Sequence, residues 1–133
     1  MVSMYLGTGS QKSYSFDVEN QSGTYKLRFV YSTDGSAESS LQGTVTPSTG
    51  VWYRACVDRG NDSLRIYWDG ALINSVDLAG ASFHNSTTTT KFGALSSTVN
   101  ELDGWLDEVR IIKGAAAYGN EFGFDVPEEE LTF

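Results

Sequence analysis

A chain of 133 residues with 40% hydrophobic and 13% aromatic residues suits one folded domain with a core of its own. Its formal net charge of −8, with nine scattered Lys and Arg, argues against a phosphate-backbone partner. One cysteine and one histidine exclude an intrachain disulfide, a Cys-based zinc site and any two-His metal motif.

The N-terminal MVSMYLGTGS has no basic region followed by an apolar run, so no secretory signal is visible. No stretch approaches the ~18 apolar residues of a membrane span, and no membrane insertion is expected. Period-two alternation then begins. In SYSFDVE, Tyr14, Phe16 and Val18 share one face; in TYKLRFVY, Tyr25, Leu27, Phe29 and Tyr31 do the same. Asn20 to Gly23 between them has the length of a hairpin turn.

After a turn at Pro47–Gly50, GVWYRACVDR reads as a strand ending at GND, and Cys56 within it reads as a small buried hydrophobe. Trp52, Tyr53, Tyr67 and Trp68 read as core. SLRIYWDGALINSVDL predicts two strands around Asp69-Gly70, the strongest short-range hairpin signal in the chain, which makes Asp69 a turn residue. Further strands are expected at about 90–95 and 104–112, and KGAAAYG fits a single helical turn. Six to eight short strands without a long helical pattern predict an all-β, antiparallel sandwich or jelly roll.

GVWYRACVDRGNDSLRIYWDGALI (from Gly50) and GWLDEVRIIKGAAAYGNEFGFDVP (from Gly104) carry a family resemblance. The first resembles the central signature of concanavalin A-like, laminin G-like jelly-roll domains. The second resembles the closing signature of the phage and bacterial branch of that family. The resemblance implies a concanavalin A-like β-sandwich over residues 1–127, followed by a short acidic arm at 128–133. Such domains usually begin with further strands, so it also implies a sandwich trimmed at the N-terminus, a fragment, or an edge covered by a neighbouring chain. A bare edge invites aggregation, which favours a homo-oligomer or a particle-bound chain.

Glycanases of this class carry three carboxylates alternating on one strand. Here Glu101 and Asp103 supply the first two, but Trp105 and Leu106 stand where the third belongs. Asp107 would lie roughly 20 Å from Glu101 along a regular strand, beyond the ~5–9.5 Å that glycoside hydrolysis needs. Asp107 and Glu108, being adjacent, would face opposite ways. No catalytic residue is assigned, and Asp107 and Glu108 read as scaffold, with Glu108 and Arg110 as neighbours on one face.

Carbohydrate is the ligand that the resemblance implies. Its candidate contacts are Phe83, His84 and Asn85 in ASFHNST, with Asn61 and Asp62 in RGNDS. The resemblance also implies calcium sites in many relatives. Asp34, Asp62 and Asn85 could contribute oxygens, but no dense Asp/Asn run defines a ligand set. Leu131 and Phe133, beyond three glutamates, suit an assembly arm that docks on a neighbour. The expectation is therefore a non-enzymatic structural or adhesion module, a virion decoration or tail-associated protein at a virion surface or outside the cell. It would work by protein–protein assembly, with glycan binding as an added property. A free carbohydrate-binding module from a larger extracellular enzyme or adhesin is the alternative, and a glycoside hydrolase ranks third.

Overall fold

The computed structural model describes residues 1–95, 101–116, 118 and 123, and among them it contains strands and no helix. Leu131 and Phe133, the whole 128–133 arm and the boundary at 127 lie outside the described residues. Eight strands follow in chain order: β1 (Val2–Leu6), β2 (Gln11–Gln21), β3 (Thr24–Tyr31), β4 (Ser39–Val45), β5 (Ala55–Gly60), β6 (Ser63–Trp68), β7 (Ala71–Asp77) and β8 (Lys91–Phe92). They form two antiparallel sheets, ordered β4-β3-β2-β1-β8 and β5-β6-β7.

Three hairpins are set by their turn residues. Ser22-Gly23, Asn61-Asp62 and Asp69-Gly70 each place two consecutive residues at positive φ. Such turns match the right-handed twist of the strands they join, and Gly, Asn and Asp tolerate that region best. The first hairpin is further pinned by the Gly23 amide, which donates to Asn20 Oδ1 at 2.7 Å. The first turn sets the β2–β3 register, in which Phe16 faces Phe29, and across the longer connection to β4 Phe29 faces Leu41.

Alternation then decides what is buried. Tyr14 and Phe16, Leu27 and Phe29, and Leu41 and Val45 turn inward from the larger sheet, meeting Leu64 and Ile66 from the smaller one. Ile66 is fully buried and Leu27 nearly so. At about 25 cal/mol per Å² of apolar surface removed from water, this two-faced packing supplies the main stabilising term. The opposite face of the larger sheet is polar but also covered: Ser3, Ser13, Ser15 and Asp17 are all buried. Ser3 Oγ donates to the carbonyls of Ala94 and Leu95, both at 3.0 Å, which ties β1 to the chain beyond β8.

The smaller sheet is covered on its second face as well. Arg65 and Tyr67 point away from the core yet are buried, and Tyr118 meets Tyr67 edge-on at 6.5 Å. Gly123 packs on the backbone at Gly70, where a β-carbon would overlap the Gly70 carbonyl oxygen; with φ at +90°, this position requires glycine.

Three strand expectations change. Around 90–95 the strand shrinks to Lys91–Phe92, followed by a single bridge from Ala94 to Glu101. Residues 102–116 form no strand at all, although their alternation predicts one over 104–112. Glu108 explains this: its φ of +49° interrupts the extended run, and its amide donates to Asp107 Oδ1 at 2.8 Å. The strand expected from Gly50 likewise starts only at Ala55.

Candidate functional site

The candidate residues in the loops lie on three connected segments. The Leu78 amide donates to the Asp62 carbonyl at 2.8 Å, joining the β5–β6 turn to the loop after β7. The His84 amide donates to the Ser32 carbonyl at 2.7 Å, joining that loop to the one after β3. Arg59 knits the group: its guanidinium lies 5.2 Å from the Phe83 ring centre, donates to the Ala81 carbonyl at 2.6 Å and stands 3.6 Å from Asp62 Oδ1.

This network brings Asp62 and Phe83 together through one cation. Phe83 is partly buried, with its ring 5.4 Å from Tyr31 and 5.6 Å from Phe29, so it extends the aromatic row of the core. The His84 imidazole packs on Gly35, where a β-carbon would come within 2.9 Å of Nε2. Asn85 and Asn61 are exposed, and Asn61 is the first left-handed residue of its turn. The polar edge formed by Asn61, Asp62 and Asn85 can offer hydrogen bonds, while the ring beside it is largely committed to packing.

The same geometry tests the calcium expectation. Asp34 Oδ1 already accepts from the Ser36 amide, the Ala37 amide and the Ser32 hydroxyl, at 2.7, 2.8 and 3.1 Å. These bonds, the Ser36 amide foremost, hold its carboxyl below the ordinary range. Asp62 faces a guanidinium. Among the described residues no group of three or more His, Cys, Asp and Glu is placed to hold a metal ion. Asp34, Asp62 and Asn85 therefore do not fit a calcium cage as they stand.

The acidic run at Glu101–Glu108 is exposed and irregular. Glu101 lines a shallow cleft of about 240 Å³ with Met1, Asp17, Glu19 and Arg28. Arg28 commits the cleft's other carboxylates: Nε and Nη2 donate to Asp17 at 3.0 and 3.2 Å, and Nη1 donates to Glu19 at 2.9 Å. Asp17 and Glu19 thus spend oxygens on a cation that locks them to the sheet. Glu108 reaches across to Arg54 Nη2 at 3.2 Å. The extended backbone on which the expected same-face arrangement of Glu108 and Arg110 rests is interrupted at Glu108.

Two apolar features were not legible as surface. Trp52 is 66% exposed, because it precedes β5 and does not join the core, whereas Tyr53 stacks on Trp68 at 4.8 Å. Along the segment after β8, Trp105 is 86% exposed, Ile111 58% and Val109 46%. Leu102, Leu106 and Ile112 are exposed beside them. These six exposed apolar side chains lie within eleven residues, interspersed with Asp103, Asp107, Glu108 and Arg110. The segment's alternation was visible in the sequence; that it forms no strand among the described residues was not.

Cys56 behaves as expected of a packed thiol. Burial, and then the nearby Asp58 charge, push it up to about 12. No helix is long and apolar enough to cross a membrane among the described residues. A laminin G-type family model, described as the concanavalin A-like lectin/glucanases superfamily, matches residues 2–117. Comparison with curated proteins gives no match, and comparison with solved structures gives none either.

Proposed function

The chain belongs to the concanavalin A-like lectin/glucanases superfamily, and on that premise we propose that it is a non-enzymatic structural or adhesion module of a virion or cell surface, working by protein–protein assembly. The observation that carries this reading is the exposed apolar run from Leu102 to Ile112, held on a strongly acidic domain. An apolar surface of this kind gains free energy by being covered, while net charge keeps the free chain soluble. The non-enzymatic part is supported by the carboxylates. Glu108 is engaged with Arg54, Asp17 and Glu19 with Arg28, and Asp107 with the backbone of its neighbour.

The test is a pair of measurements on one preparation: solution mass by light scattering across the micromolar range, and reducing-end release from a panel of polysaccharides. Self-association, or tight adsorption to purified particles, without sugar release supports the reading. Turnover of any glycan would overturn it, as would a chain that stays monomeric and adheres to nothing.

A free carbohydrate-binding module is the second reading, and exposed Trp52 favours it. An indole face open to solvent can stack on the CH face of a sugar ring. Glycan-array binding that is lost in Trp52→Ala would support this, as would losses in variants of His84, Asn85, Asn61 or Asp62 along the polar loop edge.

A further inference from the structure

We propose that the free edge of β5 takes an extended segment of a partner protein as a fourth strand of the smaller sheet, apolar at alternate positions on its inner side and carrying a carboxylate for Arg54 on its outer side. The proposal rests on the assembly reading above and names the kind of partner and its seat. β5 is an edge strand, paired only with β6. Gly60 and Ser63 flank a two-residue turn, so they exchange both main-chain bonds. Alternation then gives Asp58 and Cys56 to β6, and turns the amides and carbonyls of Ala55, Val57 and Arg59 toward the open side. The Arg54 carbonyl obeys the same parity, accepting from the Asp69 amide at 2.8 Å. Among the described residues nothing bonds to the main chain of those three edge residues. Neither Pro nor Lys guards the edge.

Below that edge lies an apolar ledge. β7 sits over β4, where Asn74 Nδ2 donates to the Gln42 carbonyl at 2.9 Å, and β6 sits over β3 and β4. β5 therefore lies toward β2, and β1 and β8 extend past it. Cross-strand partners share a face, so Val2, Met4 and Phe92 stand on the same side as Phe16 and Tyr14. Val2 and Met4 are only half-buried and Phe92 is 54% exposed. The chain's own residues 109–116 pass from Glu108, at Arg54, to Ala116, at Gly60, exposed throughout, so they do not fill the ledge. Pairing β5 with β5 of a second copy would drive that copy's larger sheet into the overhanging β1 and β8, because a continuous sheet keeps both larger sheets on one side. A lone strand meets no such obstacle, and its main-chain bonds supply affinity while alternate side chains supply selectivity.

Arg54 supplies the charge complementarity. Its side chain shares the outer face of β5 with Cys56 and Asp58. Nη2 holds Glu108 at 3.2 Å, whereas Nη1 is enclosed and has no acceptor among the described residues. A buried guanidinium donor without an acceptor is costly, and a carboxylate takes it through a short charge-assisted bond. The outer side chains of an added strand stand beside those of β5, so that carboxylate comes from the outer side, while the inner side chains rest on Val2, Met4 and Phe92.

The experiment is amide hydrogen exchange read by NMR on the full chain, with capped probe peptides of the length of β5: Glu-Val-Thr-Val-Thr-Val and the reverse order. Without a probe, the Ala55, Val57 and Arg59 amides should exchange faster than those of Cys56 and Asp58. One of the two probes should protect all three. N-methylation of one alternate set of its amides should abolish binding, and of the other set should leave it. Replacing its Glu by Gln should weaken binding about tenfold in wild type and leave it nearly unchanged in Arg54→Gln. Ala55→Pro removes one edge donor without touching the β5–β6 ladder; it should stay folded by circular dichroism and bind the probe more weakly. Edge amides as protected as those of Cys56 and Asp58 in the free chain overturn the proposal, as does a probe that binds without protecting them or binds equally when its alternation is scrambled. A Glu→Gln probe that binds equally well in wild type overturns the role of Arg54. If the chain self-associates or adheres to particles but takes neither probe, strand addition falls and the assembly reading stands; if it takes no probe, stays monomeric and adheres to nothing, both fall.

Discussion

Gly43 offers the sharpest test of how the two sheets meet. It lies on the inner face of β4, opposite Leu27, and the Ile73 side chain of β7 occupies the space that a β-carbon would need. In Gly43→Ala the new methyl would overlap Ile73 Cγ2. Ile73 is β-branched and stiff at χ1, so it cannot simply swing away. Overpacking of this kind costs about 1–3 kcal/mol, offset by about 0.5–1 kcal/mol from removing a strand glycine. The net loss should be about 1–2 kcal/mol. With a urea m-value of ~1–3 kcal/mol/M, the midpoint should fall by roughly 0.3–2 M. Tryptophan fluorescence can follow the transition through Trp68, which is stacked on Tyr53. Ile73→Ala alone should cost about 1–2.5 kcal/mol, less than a fully buried residue because Ile73 is only partly buried. In the double variant the alanine methyl enters the vacated space, so its loss should undercut the sum of the singles by about 1 kcal/mol. Additivity within about 0.5 kcal/mol would refute the reasoning, because it would mean that Ile73 does not fill the space beside Gly43.

Other expectations follow from the buried and titrating groups. Ile66→Ala empties a fully buried position and should cost about 2–5 kcal/mol in the same urea assay. Cys56, pushed up to about 12 by burial, should react with a disulfide reagent at pH 8 far more slowly than an unfolded control, and removing the fold with urea should restore the rate. Hydrogen bonds, from Lys12 first and then Tyr5, hold the Glu38 carboxyl below its ordinary 4.5, and the turn amides hold Asp34 below 3.8. Their stabilising effect is present above those values and lost as pH falls through the lower folded ones, so Glu38→Gln should flatten the acid limb of a stability profile. Tyr5, raised to about 12 by burial and by Glu38, has the opposite sign: its contribution is present below 10 and lost as pH rises through about 12, and Tyr5→Phe should remove that alkaline limb.

What the sequence disclosed depended on whether the information was local. Asp69-Gly70 and the neighbouring alternation specified a hairpin that the structure forms, because turn chemistry and period-two patterning act over a few residues. The segment at 104–112 shows the limit. Alternation states which side chains share a face, but a strand also needs a partner, and the left-handed Glu108 breaks the run before one is found. Trp52 reads as core by composition, yet β5 begins three residues later and leaves it outside. Phe83 reads as a loop contact, yet the end of the aromatic row at Tyr31 is close enough to take it in. The commitment of Asp17 and Glu19 to one arginine joins residues 9 and 11 positions apart through strand register, so neither carboxylate looked paired in the chain.

The bond from Ser3 to the Leu95 carbonyl spans 92 positions of chain, and β1 meets β8 over nearly as many. The three tight hairpins, by contrast, close over a few residues each and form early, whereas loop-closure entropy delays the long-range seal. During synthesis at ~5–20 residues per second, β1 therefore waits roughly 5–20 s with one edge open before β8 can reach it. Misassembly in the cell should concentrate at that edge and in that interval, and a chaperone that acts on this protein would act there first.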